Sequence, residues 1–99
     1  MLNITKDLQD KKLVIGLEGK LDTITAPDFE KAVKENIEGV EELVFDLEKL
    51  EYITSAGLRV LLSAQKVMTK QGAMKLVNVS ENVMEIFEVT GFSEILTIE

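Results

Sequence analysis

Apolar positions recur first at period two and then at helical spacing. Residues 2–8 alternate weakly, with Leu2, Ile4 and Lys6 set against polar neighbours. Residues 13–21 carry Leu13, Ile15, Leu17, Gly19 and Leu21 on one face, the pattern of a half-buried strand. The polar stretch from Gln9 to Lys12 between them suits a hairpin turn. A first helix is predicted from about Thr25. Thr25 followed by Asp28 resembles a capping box with the shorter acid, and Pro27 falls in the first turn, where its missing N–H does no harm. Phe29, Ala32, Val33 and Ile37 follow at helical spacing, and Gly39 is a natural stop.

Leu43 to Leu47 is a short apolar run interrupted by a single acid, Asp46, which predicts a buried central strand. Glu48 to Glu51 reads as a polar loop leading to Tyr52 and Ile53. A second helix is predicted from Ser55 to about Lys70, ended by Gly72. Leu58, Leu61, Leu62, Gln65 and Met68 form one stripe on it, and Val60, Ala64 and Val67 form another, so it should be the most buried helix. Met74, Leu76 and Val77 to Val79 give the next strand. Ser80 is a good N-cap for a third helix carrying Val83, Ile86 and Phe87, with Gly91 at its end and Phe92 folding back over the last turn. Ile95, Leu96 and Ile98 close the chain as a short strand. Strands that alternate with helices imply right-handed crossovers and a sheet that is parallel there, made mixed by the opening hairpin. The expectation is one small α/β domain over residues 1–99, with a mixed, mostly parallel sheet of about five strands and three or four packed helices.

Composition narrows the chemistry. The formal net charge of −7 disfavours nucleic acid and anionic membrane surfaces, and favours a protein partner with a basic patch. The absence of Cys excludes disulfides and thiolate metal sites. The absence of His removes Ser-His-Asp and Cys-His arrangements and the commonest transition-metal ligand. No apolar run approaches the ~20 residues of a membrane span, and Met1 to Thr5 lacks the basic and apolar regions of a signal peptide. A cytoplasmic monomer is the default expectation.

The informative stretch runs from Asp46 to Leu62. It combines a central strand, a loop and a helix start, and loops beyond the carboxyl ends of parallel strands are where such sheets place their sites. Thr54-Ser55-Ala56-Gly57 sets two hydroxyls at the helix start beside two small residues, which let another surface approach the backbone. The plainer reading is that Thr54 or Ser55 caps the helix and Gly57 packs against the strand. Asp22 and Asp46 are expected to flank Ser55 at one sheet edge, where each could instead serve as a cap or turn residue. Arg59, one turn from Ser55, could be solvated, pair with Glu51, meet a partner or contact a group carried on Ser55. Met68 and Met74 read as core filling, and Glu81, Glu85 and Glu88 as a solvated helix face.

The segment resembles the signature of anti-sigma-factor antagonists of the STAS family, whose usual form is close to Asp-x-x-x-Leu-x-Phe-Ile-Asp-Ser-Ser-Gly-Leu-Gly-Val-Leu. Asp46, Leu50, Tyr52, Ile53, Ser55, Gly57, Leu58, Val60 and Leu61 fall in step with it. Gly19-Lys20-Leu21-Asp22 matches the family's Gly-x-Leu-Asp, and Thr25-Ala26-Pro27 looks like the start of its first helix. Phe87 to Phe92 is similar to its late helix end. Three positions depart from the pattern: Thr54 stands for Asp, Ala56 for the second Ser, and Arg59 for Gly.

The resemblance implies a non-catalytic switch protein. Its unphosphorylated form binds an anti-sigma factor that is also a serine/threonine kinase of the histidine-kinase-like ATPase fold, and so frees the sigma factor. Phosphorylation at Ser55 separates the partners, and a phosphatase acting on phosphorylated Ser55 restores the active form. Thr54 is the competing acceptor. Asp22, Thr54, Ser55, Ala56, Gly57 and Arg59 form the implied partner surface. ATP and the catalytic base belong to the kinase, so no cofactor or metal is expected on this chain. Two rivals remain. An acyl-transfer enzyme would need a base near Ser55, but the chain has no His and no Gly-x-Ser-x-Gly elbow or Gly-rich phosphate loop. Domains of the same fold also serve as unphosphorylated scaffolds in lipid-transport complexes, stress-sensing assemblies and anion transporters.

Overall fold

A computed structural model describes residues 2–99. The elements in order are β1 (Leu2–Gln9), β2 (Lys12–Leu21), α1 (Ala26–Asn36), β3 (Glu42–Ile53), α2 (Ser55–Gln71), β4 (Ala73–Val77) and α3 (Glu81–Thr90), with a 3-10 turn at Phe92–Glu94. The four strands form one sheet in the order β1-β2-β3-β4. β1 and β2 are an antiparallel hairpin, with Asp10 in its turn at φ 56°. β3 runs parallel to β2 and β4 runs parallel to β3.

The period-two reading of β2 holds: Leu13, Ile15, Leu17 and Leu21 are buried in turn. α1 covers this face. Phe29 of α1 meets Phe45 of β3 edge to face, with ring centroids 5.5 Å apart, a contact worth about 0.5–1.5 kcal/mol beyond its area. α2 buries Leu58, Val60, Leu61, Ala64 and Met68, whereas Val67 of the second predicted stripe is 40% exposed. Thus one stripe carries the packing, with Val60 and Ala64 widening it.

β3 is longer than its sequence suggests. The predicted loop at Glu48 to Glu51 is strand, and β3 pairs with β2 through to Leu21 and Ile53. Two register irregularities explain the difference, since Gly16 and Glu18 pair with Asp46 and Lys49, and Gly19 and Lys20 pair with Leu50 and Tyr52. Each admits an extra residue on β3, so the buried positions fall at Leu47, Leu50 and Ile53, three apart rather than two.

The fifth predicted strand shrinks to one parallel bridge, between Leu76 and Ile98. The N–H groups of Ile95 and Leu96 donate back to Phe92 O, at 3.0 and 2.9 Å, so helical backbone continues past the 3-10 turn. Only the last residues are left to line the β4 edge, where Leu76 N–H donates to Thr97 O and Glu99 N–H donates to Leu76 O.

Helix ends follow the sequence at α3 and depart from it at α1. Ser80 Oγ accepts from Val83 N–H at 3.4 Å, and Gly91 ends α3 at φ 82°, a left-handed value that favours glycine. Thr25 sits at the α1 N-cap but makes no side-chain cap, so the capping box with Asp28 does not form. Its hydroxyl donates to Lys20 O at 2.9 Å, at the end of β2, and accepts from Asp22 N–H at 2.9 Å, in the turn that follows.

Candidate functional site

The site forms where two parallel strands end side by side. Leu21, the last residue of β2, pairs with Ile53, the last of β3, and Thr54 N–H donates to Leu21 O at 2.9 Å. Beyond that bond the chains diverge into the turn from Asp22 to Thr25 and into the start of α2. Gly57 lets α2 begin this close to the strands. A Cβ there would lie 2.6 and 2.7 Å from Leu21 side-chain carbons and 2.9 Å from Ile53 Cγ1.

Thr54 is the α2 N-cap, with extended backbone (φ −106°, ψ 177°), but it makes no side-chain cap. Its Oγ1 is buried without a hydrogen-bond partner. Ser55 is the first helical residue and is exposed. No acidic residue occupies the first turn of α2. Leu58 N–H bonds back to Thr54 O at 3.0 Å, so the N–H groups that precede it point out of the open end of the helix. Neither hydroxyl therefore does the capping that the plainer reading assigned to it.

Asp22 organises the neighbouring turn. Its Oδ1 accepts from the N–H groups of Ile24 and Thr25, each at 3.0 Å, and lies 3.2 Å from Thr25 Oγ1. The Thr25 N–H holds the Asp22 carboxyl below the usual carboxylate range; partial burial opposes this, and the Ile24 N–H and the Thr25 hydroxyl add to it. This turn presents Ile24, 85% exposed, which the sequence reading passed over. Its signal was an apolar residue inside a polar Asp-Thr-Ile-Thr turn. Between α1 and α2, Thr23, Ala26, Pro27, Ala56, Arg59 and Val60 border an open cavity of about 200 Å³. Arg59 is exposed and belongs to none of the ion pairs among the described residues, so the pairing with Glu51 is not made.

Asp46 is not part of this edge. It lies seven positions before Ile53 in β3, on the order of 20 Å along the strand. Its Oδ1 accepts from Glu48 N–H and from Asn78 Nδ2, each at 3.1 Å, which ties β3 to the turn after β4. The sequence reading put Asp46 beside Ser55 because it ended the strand at Leu47.

The STAS domain family model matches residues 3–99. The chain belongs to the STAS domain family. Within that family a Bordetella bronchiseptica protein named as an anti-sigma factor antagonist, BtrV, is 34% identical over 99 residues, spanning 98% of this chain and 85% of BtrV. An anti-sigma factor antagonist from Mycobacterium paratuberculosis has a similar structure (TM-score 0.90, 22% identity, 99% of this chain and 85% of that one). Bacillus SpoIIAA, at 19% identity, shares the fold in its unphosphorylated form (TM-score 0.77, 98% of this chain and 87% of that one). It does so equally in its phosphorylated form (TM-score 0.76, 98% and 91%). This STAS chain has no described helix long and apolar enough to cross a membrane. Among its described residues no group of three or more His, Cys, Asp or Glu could hold a metal ion.

Proposed function

We propose that this STAS chain is an anti-sigma factor antagonist switched by phosphorylation of Ser55. Unphosphorylated, it binds an anti-sigma factor that is also a serine/threonine kinase of the histidine-kinase-like ATPase fold, and releases the sigma factor. The kinase transfers the γ-phosphoryl group of ATP to Ser55 Oγ, its own base takes the hydroxyl proton, and ADP leaves. A phosphatase hydrolyses the ester and restores binding. The chain is a substrate in this cycle and not an enzyme.

The observation that carries this reading is the exposed Ser55 hydroxyl at a helix start that has neither a side-chain cap nor an acid in its first turn. An added phosphate meets free N–H groups and the positive end of the helix dipole, an arrangement worth about 0.3–1 kcal/mol. The domain therefore stays folded. The change is local: about −1.5 to −2 charges and three oxygens on a face that had carried a hydroxyl. Desolvating them against the partner costs affinity at tenfold for each ~1.4 kcal/mol. The similar fold of SpoIIAA with and without its phosphate supports a local block over a refolding. Burial of Thr54 Oγ1 favours Ser55 over Thr54 as the acceptor. The turn held by Asp22, together with Ala56 and Arg59, completes the partner face, Ile24 adds an apolar anchor to it, and the buried Gly57 sets how closely α2 meets the strand ends.

The test is incubation with an ATP-loaded anti-sigma kinase from the same genome, followed by intact-mass and fragment-ion spectrometry. One phosphate on Ser55, absent in Ser55→Ala, with loss of kinase binding on phosphorylation, is the expected result. Stable binding to an active kinase without any phosphate would sink the switch and leave an unphosphorylated scaffold.

A further inference from the structure

A second face also has the features of an interface. Between the end of β3 and α3 lies an open groove of about 370 Å³. Tyr52, Ile86 and Val89 supply its apolar surface. Val89 is 80% exposed and Tyr52 49%, although Val83 and Phe87 of the same helix as Val89 are fully buried in the core. The groove exists because β4 accompanies β3 only as far as Asp46 and Val77, while β3 continues to Ile53. α3 packs over part of that extension and leaves a furrow beside it.

The rim is acidic. Glu51 and Glu85 border the groove, no Lys or Arg does, and neither acid takes part in an ion pair among the described residues. Glu81 and Glu88 add exposed carboxylates on the same helix. Charge of one sign around an apolar floor selects the occupant. A second copy of this chain would bring the same acids and a net charge of −7 against its own, and anionic lipid or nucleic acid would be repelled likewise. We propose that this groove docks a segment of a partner protein in which an apolar side chain is flanked by Lys or Arg. The apolar side chain displaces water from Tyr52, Ile86 and Val89, and the flanking cations neutralise Glu51 and Glu85.

The sequence supplies its own reporter. Tyr52 is the only Tyr and there is no Trp, so intrinsic fluorescence reads this groove alone. The probe is a synthetic peptide of alternating Leu and Lys clusters, free of Tyr and Trp, titrated into the full chain. Expected is a saturable change in Tyr52 fluorescence, with amide shifts confined to residues 51–52 and 82–90. Val89→Ser should weaken binding about tenfold, as loss of an apolar anchor does. The pair Glu51→Gln and Glu85→Gln should weaken it too and reduce its salt dependence, and neither variant should change the melting temperature. A peptide with Ser in place of Leu that binds equally well would overturn the proposal, because charge alone would then suffice. Amide shifts centred outside the groove would overturn it, as would a dimer in sedimentation that Val89→Ser dissolves.

Discussion

Two helices in this protein begin with the same sequence signal and end up with different starts. Thr54 and Ser80 each precede a helix, each with extended backbone. Ser80 caps α3 through the N–H of Val83, and Glu81 puts an acid in the first turn. At α2 the hydroxyl of Thr54 turns into the protein, where it is buried without a partner, and the first turn holds no acid. The third helical position differs as well. In α3 it is Val83, fully buried; in α2 it is Gly57, pressed against Leu21 and Ile53. α3 begins as a helix built for stability does. α2 gives up its cap and keeps its donors free, and it does so beside the exposed Ser55.

The largest effect expected from perturbing this pair comes from Gly57→Ala. Alanine raises helix propensity by about 1 kcal/mol, but its Cβ must displace the Leu21 side chain, itself fully buried. Overpacking of this kind costs about 1–3 kcal/mol, so urea unfolding should show a net loss. A gain in stability would mean that α2 can withdraw from the strand ends freely, and that Gly57 does not set its position.

The next comparison has opposite signs at the two caps. Ser80→Ala should destabilise by about 1 kcal/mol, lowering the melting temperature by roughly 4–8 °C in a domain of this size. Thr54→Val keeps the shape, removes an unpartnered buried hydroxyl, and should stabilise by about 1 kcal/mol. Equal losses from both substitutions would show that Thr54 caps α2 in solution.

Asp22 makes the neighbouring turn sensitive to acid. Its carboxyl titrates below its ordinary value of about 3.9, so it stabilises the fold above that pH. That contribution is lost as the pH falls through the lower folded value, where Thr25 and Ile24 must give up an ionised acceptor. Asp22→Asn should therefore flatten the stability profile below about pH 4 and leave α3 unaffected. An unchanged acid profile would remove Asp22 from the turn's support.

These contrasts also mark what could be read from the sequence. β2 was legible because Leu13, Ile15 and Leu17 alternate without interruption, and α3 because Ser80 and Gly91 punctuate it. The end of β3 was not, since its irregular pairing moves Leu47, Leu50 and Ile53 to a spacing that fits neither strand nor helix. That one misreading displaced Asp46 to the wrong end of the molecule. It also hid the groove at Tyr52, which exists only because β3 outruns β4. The segment from Thr54 to Gly57 was legible as a candidate site by its residue types. Which hydroxyl faces solvent depends on how the strand ends meet α2, and periodicity carries no information about that.

The smallest expected effect is the most direct probe of the open helix end. Ser55→Asp places a carboxylate at the first position of a turn that has no acid. It should stabilise the fold by about 0.3–1 kcal/mol at low ionic strength, through the helix dipole and the free N–H groups. The gain should be present above about pH 4, where the carboxylate is ionised, and should vanish as the pH falls through its lowered folded value. Added salt should shrink it as well. A second acid beside Glu81 in α3 should gain less, because Ser80 already occupies the Val83 donor and Glu81 already places an acid in that turn. The same Ser55→Asp change should weaken partner binding while it strengthens the fold. That divergence separates a local block from a conformational one, because a phosphate that acted by loosening the domain would lower both.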